Sequence, residues 1–452
     1  MHLSNKQADA TFLGHPKGLF TLFLTELWER FSFYGMRAIL VLFLVDSIKG
    51  GLGFSEAAAL KLYGIYTMAV YVLGILGGVL ADRYIGQRAA VLWGGILACI
   101  GHFSLALSSE ATVFILGLGL IATGTGLLKP NISTMVGGLY QPGDARRDSG
   151  FTIFYMGINM GALLASLIVG FVGGHYGWHY GFSLAGFGIL IGLITFVAGK
   201  STLGEIGTKT EQKTKVAASN LAPTQPAFTK EEKDRLSVIL ICLIAISAFF
   251  VAFEQCGGLM NLYASKYTNR HILGWEVPAG MFQSLNPAFI ILLGPIIPLL
   301  WTKLAKHYKN ISSIAKMGTG NIIVGLGFLF MIGAVLQRQS DPTGQSSPYW
   351  LVGAYLFHTT GELCLSPVAL SFITKVAPER VQASMMGIFF ASIGIAHWIA
   401  GFLGAQIASW GELSIFKLIC VCTVLIGLPF IIFNKQLSKL THGSEQPTQK
   451  DA

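Results

Sequence analysis

Glu26, Glu29, Arg30 and Arg37 stand within twelve residues of one another in a stretch that is otherwise apolar and aromatic, Glu26-Leu-Trp-Glu29-Arg30-Phe31-Ser-Phe33-Tyr34-Gly-Met-Arg37. Wound as a helix at about 100° per residue, with Glu26 at zero, Arg37 falls near about 20°, Arg30 near about 40°, Tyr34 near about 80°, Phe33 near about 340° and Glu29 near about 300°. One face therefore carries two carboxylates, two guanidinium groups and a phenol. The chemistry open to such a face is ion binding and proton exchange, since arginine forks match carboxylates and a carboxylate changes its protonation when its basic partner is drawn away. Arg30 has Glu26 four residues back and Glu29 beside it, whereas Arg37 has no acidic residue near it on its own helix. An anionic group from outside the helix would suit Arg37, and this uneven pairing weighs against a purely structural ion network.

The chain that must position these groups belongs in lipid. Of its 452 residues 53% are hydrophobic and 12% charged, with mean hydropathy +0.61, against roughly 25% charged in a soluble domain. Apolar runs of about 20 residues, enough to cross a bilayer, occur six times before the polar stretch Lys200 to Asp234 and six times after it. The expected fold class is an all-α polytopic membrane protein of 12 transmembrane helices: a six-helix bundle over 1–199, a flexible cytoplasmic linker over 200–234, a second six-helix bundle over 235–436 and a cytoplasmic tail over 437–452. The net charge of +9 would suggest nucleic acid in a soluble protein. Here Arg83, Arg88, Arg146, Arg147 and the linker lysines collect on the side expected to be cytoplasmic, together with both termini, so no nucleic-acid partner is inferred. The six cysteines fall in apolar stretches without metal-ligand spacing and read as buried hydrophobes. Met1 to Lys17 lacks the apolar core and cleavage site of a secretory signal.

An ionisable side chain at mid-membrane costs about 2.5–3.5 kcal/mol and so implies an internal role. Lys129 lies deep in the fourth apolar run within Gly124-Thr-Gly-Leu-Leu-Lys129-Pro130-Asn131; the spacing does not make a phosphate loop. Glu254 follows Phe249-Phe250-Val-Ala-Phe in the seventh, Asn286 opens the eighth, and Glu362 is midway along the tenth. Basic groups thus concentrate in the first half, and acidic and amide groups in the second. A small zwitterion would bridge them. His102, His358 and His397 lie in apolar runs and read chiefly as hydrogen-bonded core residues, with proton relay as the sharper alternative. His175 and His179 read as part of an interfacial aromatic belt, and no metal is expected.

Several of these segments resemble known ones. Gly77-Gly-Val-Leu-Ala-Asp82-Arg83-Tyr-Ile-Gly86-Gln-Arg88 resembles the signature loop of the major facilitator superfamily. Glu26-x-x-Glu29-Arg30-Phe31 resembles the E-x-x-E-R-F pattern of its proton-coupled oligopeptide transporter (POT) family, and Phe154-Tyr155-x-x-Ile158-Asn159-x-Gly161 resembles that family's fifth-span signature. Lys129-Pro130-Asn131, Ser284-Leu285-Asn286-Pro287 and Gly361-Glu362-Leu-Cys-Leu-Ser366-Pro367 look like family segments in the expected order, so the likeness covers nearly the whole chain. The resemblance implies proton-coupled symport of di- and tripeptides by alternating access in the cytoplasmic (inner) membrane, by a monomer without cofactors, in contact with lipid and without catalytic chemistry. It implies that Arg30, Arg37 and Lys129 receive the peptide carboxylate and Asn159, Asn286 and Glu362 its amino terminus. Tyr34, Tyr71, Phe250 and Ser366 would line the pocket, and the proton would travel through Glu26, Glu29, Arg30 and Glu254. A Lys129–Glu254 pair that opens on peptide binding or protonation would link the two events. The sequence departs from the family in having Phe33 where a tyrosine is frequent, Phe250 where a tryptophan is frequent, and no apolar run in the linker to supply two extra helices. Transport of nitrate or another small organic anion on the same scaffold is the alternative.

Overall fold

Long apolar stretches cannot leave backbone amides unpaired in lipid, and helices answer that need within a single segment. The computed structural model describes residues 11–141, 144–209, 228–308 and 311–444, with the side chains of 307 and 308 excepted. The first ten residues, 210–227 of the expected linker and 445–452 of the expected tail lie outside the described residues. In chain order the first half has α1 (Lys17–Val45), α2 (Glu56–Leu80), α3 (Gln87–Leu107), α4 (Ala111–Gly138), α5 (Arg147–Tyr176) and α6 (Trp178–Ala198). The second half has α7 (Lys230–Phe253), α8 (Leu259–Tyr267), α9 (Leu285–Leu293), α10 (Ile296–Tyr308), α11 (Ser313–Ser340), α12 (Tyr349–Val376), α13 (Gln382–Gly404), α14 (Ile407–Ile432) and the short α15 (Asn434–Lys439). Two small hairpins, β1 (Thr11–Phe12) with β2 (His15–Pro16) and β3 (His271–Ile272) with β4 (Trp275–Glu276), lie outside the helices.

Ten of these helices or helix runs are long and apolar enough to cross a membrane, with α7 and α8 forming one run over Lys230–Tyr267. An eleventh span is broken: Ala279–Leu293 and Ile296–Lys306 meet at a 48° bend. The twelfth is α1, 29 residues long, which stands apart because every stretch of it long enough to span carries at least three charged side chains. The described residues thus form an all-α polytopic membrane protein of twelve spans.

Two compact units divide the chain. The first comprises residues 1–54, 69–225 and 278–287, and the second 55–68, 226–277 and 288–452. The first half of α2 therefore packs with the second unit, and the segment that enters α9, including Asn286, packs with the first. Gln283 Nε2 there donates to the Ala38 carbonyl of α1 at 3.4 Å. Sequence order alone groups Asn286 with the acidic half, and the packing corrects that grouping. Within the first unit Leu19, Leu22, Val91, Ile132, Met135, Phe154, Ile189 and Phe196 form one apolar core.

The linker reading needs adjustment at both ends. Residues Gly199–Leu203 continue α6 as a 3-10 turn, and Arg88 pins the chain just beyond that turn, its Nε donating to the Ile206 carbonyl at 2.6 Å. At the other end α7 starts at Lys230 behind a capping box, in which Thr229 accepts from the Glu232 amide and Glu232 from the Thr229 amide. Cys422 also differs from expectation: five cysteines are buried, but Cys422 is exposed. Val421 and Leu425 are exposed beside it, the composition of a face turned to lipid rather than to the core.

Candidate functional site

The α1 cluster forms as its spacing predicts. Arg30 Nε lies 3.2 Å from Glu26 Oε1 and its guanidinium also pairs with Glu29. All three residues are 2% exposed or less, so charge pairing there replaces hydration entirely. Glu26 Oε2 has no hydrogen-bond partner among the described residues, leaving one buried carboxylate oxygen open to a proton. Arg30 stacks over Phe33 at 5.1 Å and over Tyr34 at 5.9 Å, and Arg37 lies over the other side of the same run, 5.8 Å from the Tyr34 ring. Delocalised guanidinium planes favour such aromatic faces. Tyr34 and Arg37 are half-buried, so this end of the face is less enclosed than Glu26, Glu29 and Arg30.

Neighbouring helices extend the site inside the first unit. Lys129 Nζ sits 5.2 Å from the Tyr71 ring of α2 and within electrostatic reach of Glu26, Glu29, Arg30 and Arg37. Pro130, one residue further on, lies inside α4, which continues to Gly138, and amide and hydroxyl side chains bond carbonyls near it: Asn131 Nδ2 donates to the Leu127 carbonyl at 2.7 Å and Ser133 to the Lys129 carbonyl at 3.1 Å. Asn159 on α5 is buried and donates to the Tyr155 carbonyl at 3.0 Å. Gly161 explains the placement of α5: an added methyl would lie 3.0 Å from Arg30 Cβ and collide with the Leu27 carbonyl, so only glycine allows this crossing. Asn286 is half-buried within the same unit.

The second unit holds the other candidates. Glu254, 2% exposed, accepts a hydrogen bond from the Tyr63 hydroxyl, and its Oε2 lies 3.5 Å from His397 Nε2. Tyr63 reaches it because α2 crosses α13 closely at two glycines, where a methyl on Gly64 would meet Gly401 Cα at 2.9 Å. Phe250, half-buried, lies one turn before Glu254 with its ring 6.1 Å from that of His397. Glu362 and Ser366 share α12, both half-buried. Ser366 Oγ finds no hydrogen-bond partner among the described residues, and Pro367 follows it. Arg30, Arg37, Lys129, Asn159 and Asn286 belong to one unit, and Phe250, Glu254, Glu362 and Ser366 to the other. Tyr63 is a residue that sequence reasoning misses. Its signal is faint: three tyrosines, Tyr63, Tyr66 and Tyr71, in a single apolar span.

Known proteins are similar to this chain over nearly its whole length. A model of the POT family matches residues 88–230 and 211–417. A peptide transporter of Yersinia enterocolitica is 36% identical over 508 residues, covering 98% of this chain and 99% of that one. A di-/tripeptide transporter of Lactococcus lactis is 33% identical over 491 residues, covering 96% and 98%. Among solved structures, a variant of the peptide transporter POT in complex with alafosfalin superposes with a TM-score of 0.87 at 38% identity, covering 97% of this chain and 99% of that one.

Proposed function

The chain belongs to the POT family, and on that premise we propose that it carries di- and tripeptides together with protons across the cytoplasmic membrane by alternating access. Its fold is that of the major facilitator superfamily. The observation that carries the reading is the α1 cluster: two carboxylates and an arginine at near-zero exposure, in a span whose charge no structural need of a bilayer explains. Arg30, Arg37 and Lys129, with the phenol faces of Tyr34 and Tyr71, are suited to the peptide carboxylate. Asn159, Asn286 and Glu362 would take the ammonium end, and Phe250 and Ser366 would line the side-chain space. Gripping the two termini, which every short peptide shares, accounts for a broad substrate class.

Protons would enter through Glu26, Glu29 and Glu254, with Arg30 exchanging between its two carboxylates. The Lys129–Glu254 pair remains part of the proposal as the device that opens on peptide or proton binding. One charge crossing about 100 mV releases about 2.3 kcal/mol, enough for roughly fifty-fold accumulation of a neutral zwitterion. The two six-helix bundles over 1–199 and 235–436, cytoplasmic termini, a monomeric state and the absence of catalytic activity complete the reading. The nitrate or organic-anion alternative is not favoured, because the relatives are named for peptides.

Purified protein in liposomes with an inside-alkaline pH gradient should accumulate a labelled dipeptide above equilibrium, and collapse of the gradient should abolish the excess. Indifference to N-acetylation of the dipeptide would sink the assignment of Glu362, Asn159 and Asn286 to the amino terminus.

A further inference from the structure

One buried thiol lies against a thioether and an imidazole. Cys256 closes the short 3-10 turn Glu254–Cys256 that follows α7, and Met260 stands one turn further on in α8. The Cys256 thiol lies 4.0 Å from Met260 Sδ and 3.1 Å from His358 Nδ1 of α12. Cys256, Met260 and His358 are 5%, 1% and 0% exposed, and all three belong to the second unit. The fold and not a local spacing brings them together, since 102 residues separate Cys256 from His358.

We infer that Cys256, Met260 and His358 form a binding site for a soft monovalent metal ion, copper(I) or silver(I), separate in its chemistry from the peptide and proton groups. Thiolate and thioether sulfur select soft ions, and imidazole nitrogen completes a three-coordinate set. Geometry agrees. With bonds of about 2.3 Å to sulfur and about 2.0 Å to nitrogen, a planar trigonal ion needs its two sulfurs about 4.0 Å apart, and they stand 4.0 Å apart. It needs sulfur and nitrogen about 3.7 Å apart, so the imidazole withdraws by about half an ångström from its present place. On binding, the S–H bond of Cys256 breaks, its proton leaves to water and the thiolate bonds the ion. Met260 Sδ gives a lone pair, as does His358 Nδ1 in the tautomer that carries its proton on Nε2. Thiolate and monovalent cation sum to zero, so the trio is neutral before and after, whereas a divalent ion would leave the trio with a positive charge in a site closed to water. Glu254, the nearest carboxylate in sequence, is engaged with Tyr63 and His397.

The surroundings aim these ligands at one another. Tyr355, one turn before His358 on α12, donates its hydroxyl to the Cys256 carbonyl at 3.4 Å and so fixes the turn against that helix. From α11 the Phe328 ring lies 4.8 Å from the His358 ring. A methyl on Gly327 would approach His358 Cδ2 at 2.7 Å, so glycine there leaves room for the imidazole to face Cys256. The other ring nitrogen, Nε2, is buried without a hydrogen-bond partner among the described residues, and no second polar contact resists the small withdrawal of the ring. Gly257 and Gly258 separate the turn that ends at Cys256 from α8. Local opening at this break admits the ion, and an ion once bound ties the break to α12.

Purified full-length protein with reduced thiols should keep copper(I) through dialysis against a weak chelator and should keep no zinc. The exposed thiol of Cys422 supplies the control. Cys422→Ser should retain the copper, Cys256→Ser should lose it, and Met260→Leu and His358→Gln should each weaken retention by about tenfold or more. X-ray absorption at the copper edge of the loaded wild type should show sulfur together with imidazole nitrogen, and His358→Gln should remove the nitrogen alone. Silver(I) should raise the unfolding temperature of the wild type but not of Cys256→Ser, as for any ligand that prefers the folded state. Copper held as tightly by Cys256→Ser, or lost with Cys422→Ser, marks an adventitious thiol and overturns the inference. Equal retention of zinc, or no rise in unfolding temperature with silver, overturns it as well. Should Cys256→Ser fail to fold, the wild-type spectrum decides, and a metal shell without nitrogen defeats the proposal. Each of these measurements is independent of peptide transport, so their failure leaves the transport reading standing.

Discussion

Glu26 and Glu29 in the first unit and Glu254 in the second are buried to the same degree, 1–2% exposed, yet they are compensated by different chemistry. The first two face Arg30, whose guanidinium stays charged at any pH a cell meets. The third faces a phenol and an imidazole, both able to give up or take a proton. Equal burial excludes desolvation as the source of the contrast. What differs is the partner: a fixed cation in the first unit, a phenol and an imidazole in the second. The two clusters lie in separate units.

Removing the fixed cation is the severest way to break the comparison. Arg30→Met strands two buried carboxylates, and a broken buried pair costs about 3–5 kcal/mol. We expect low abundance in the membrane and a markedly lower unfolding temperature in detergent; wild-type stability would show that the cluster does not depend on its arginine. Glu29→Gln is gentler, since the amide keeps the shape and sheds the charge. It should lower pH-driven uptake by about tenfold or more, the effect of losing a charged hydrogen bond of about 1.5–3 kcal/mol, while counterflow persists. Equal losses in both assays would move Glu29 from the proton route to simple binding.

Glu362→Gln sharpens the contrast from the ligand's side. It should weaken dipeptide affinity by one to a few kcal/mol, about 1.5–3 for a charged hydrogen bond, with little effect on a peptide whose amino terminus is already acetylated. Isothermal titration with the two ligands separates the cases, and full affinity for the free dipeptide would falsify the role given to Glu362.

The two clusters also differ in how plainly the sequence announces them. Glu26, Glu29, Arg30, Tyr34 and Arg37 lie on consecutive turns of one helix, so the 3.6-residue period alone places them on a common face. Tyr63, Glu254 and His397 come from three separate stretches of chain, and Tyr63 is 191 residues from Glu254. No local spacing encodes that meeting; it arises where Gly64 and Gly401 let α2 approach α13. For the same reason sequence order gives Asn286 the wrong set of neighbours, because hydropathy counts spans without saying which surface each end packs on. The start of α7 is legible but easily overlooked: Thr229-Lys-Glu-Glu232 is a capping-box pattern, and the polar residues after it conceal the helix when only apolar periodicity is followed. The orientation of Cys422 depends on which face of α14 meets lipid, which an all-apolar helix does not reveal.

A third carboxylate, outside the spans, gives the scale against which the two interior sites can be set. Asp46 caps the end of α1, where burial would raise its pKa, but hydrogen bonds outweigh that pull and hold it below the ordinary carboxylate range. Trp178 Nε1 donates to its Oδ2 at 2.6 Å, and the amides of Ile48 and Lys49 donate at 3.0 Å each. A carboxylate whose folded pKa is depressed adds stability that is fully present above its unfolded value, about 3.9, and is lost as pH falls through the folded one. Asp46→Asn should therefore cost about 1 kcal/mol at neutral pH. The difference from wild type should shrink below about pH 4, where the carboxyl of the unfolded chain begins to take up a proton while the native one is still charged. Unfolding temperatures of the purified protein at pH 7 and at about pH 3 measure both terms. A pH-independent difference would mean that Asp46 acts through shape alone.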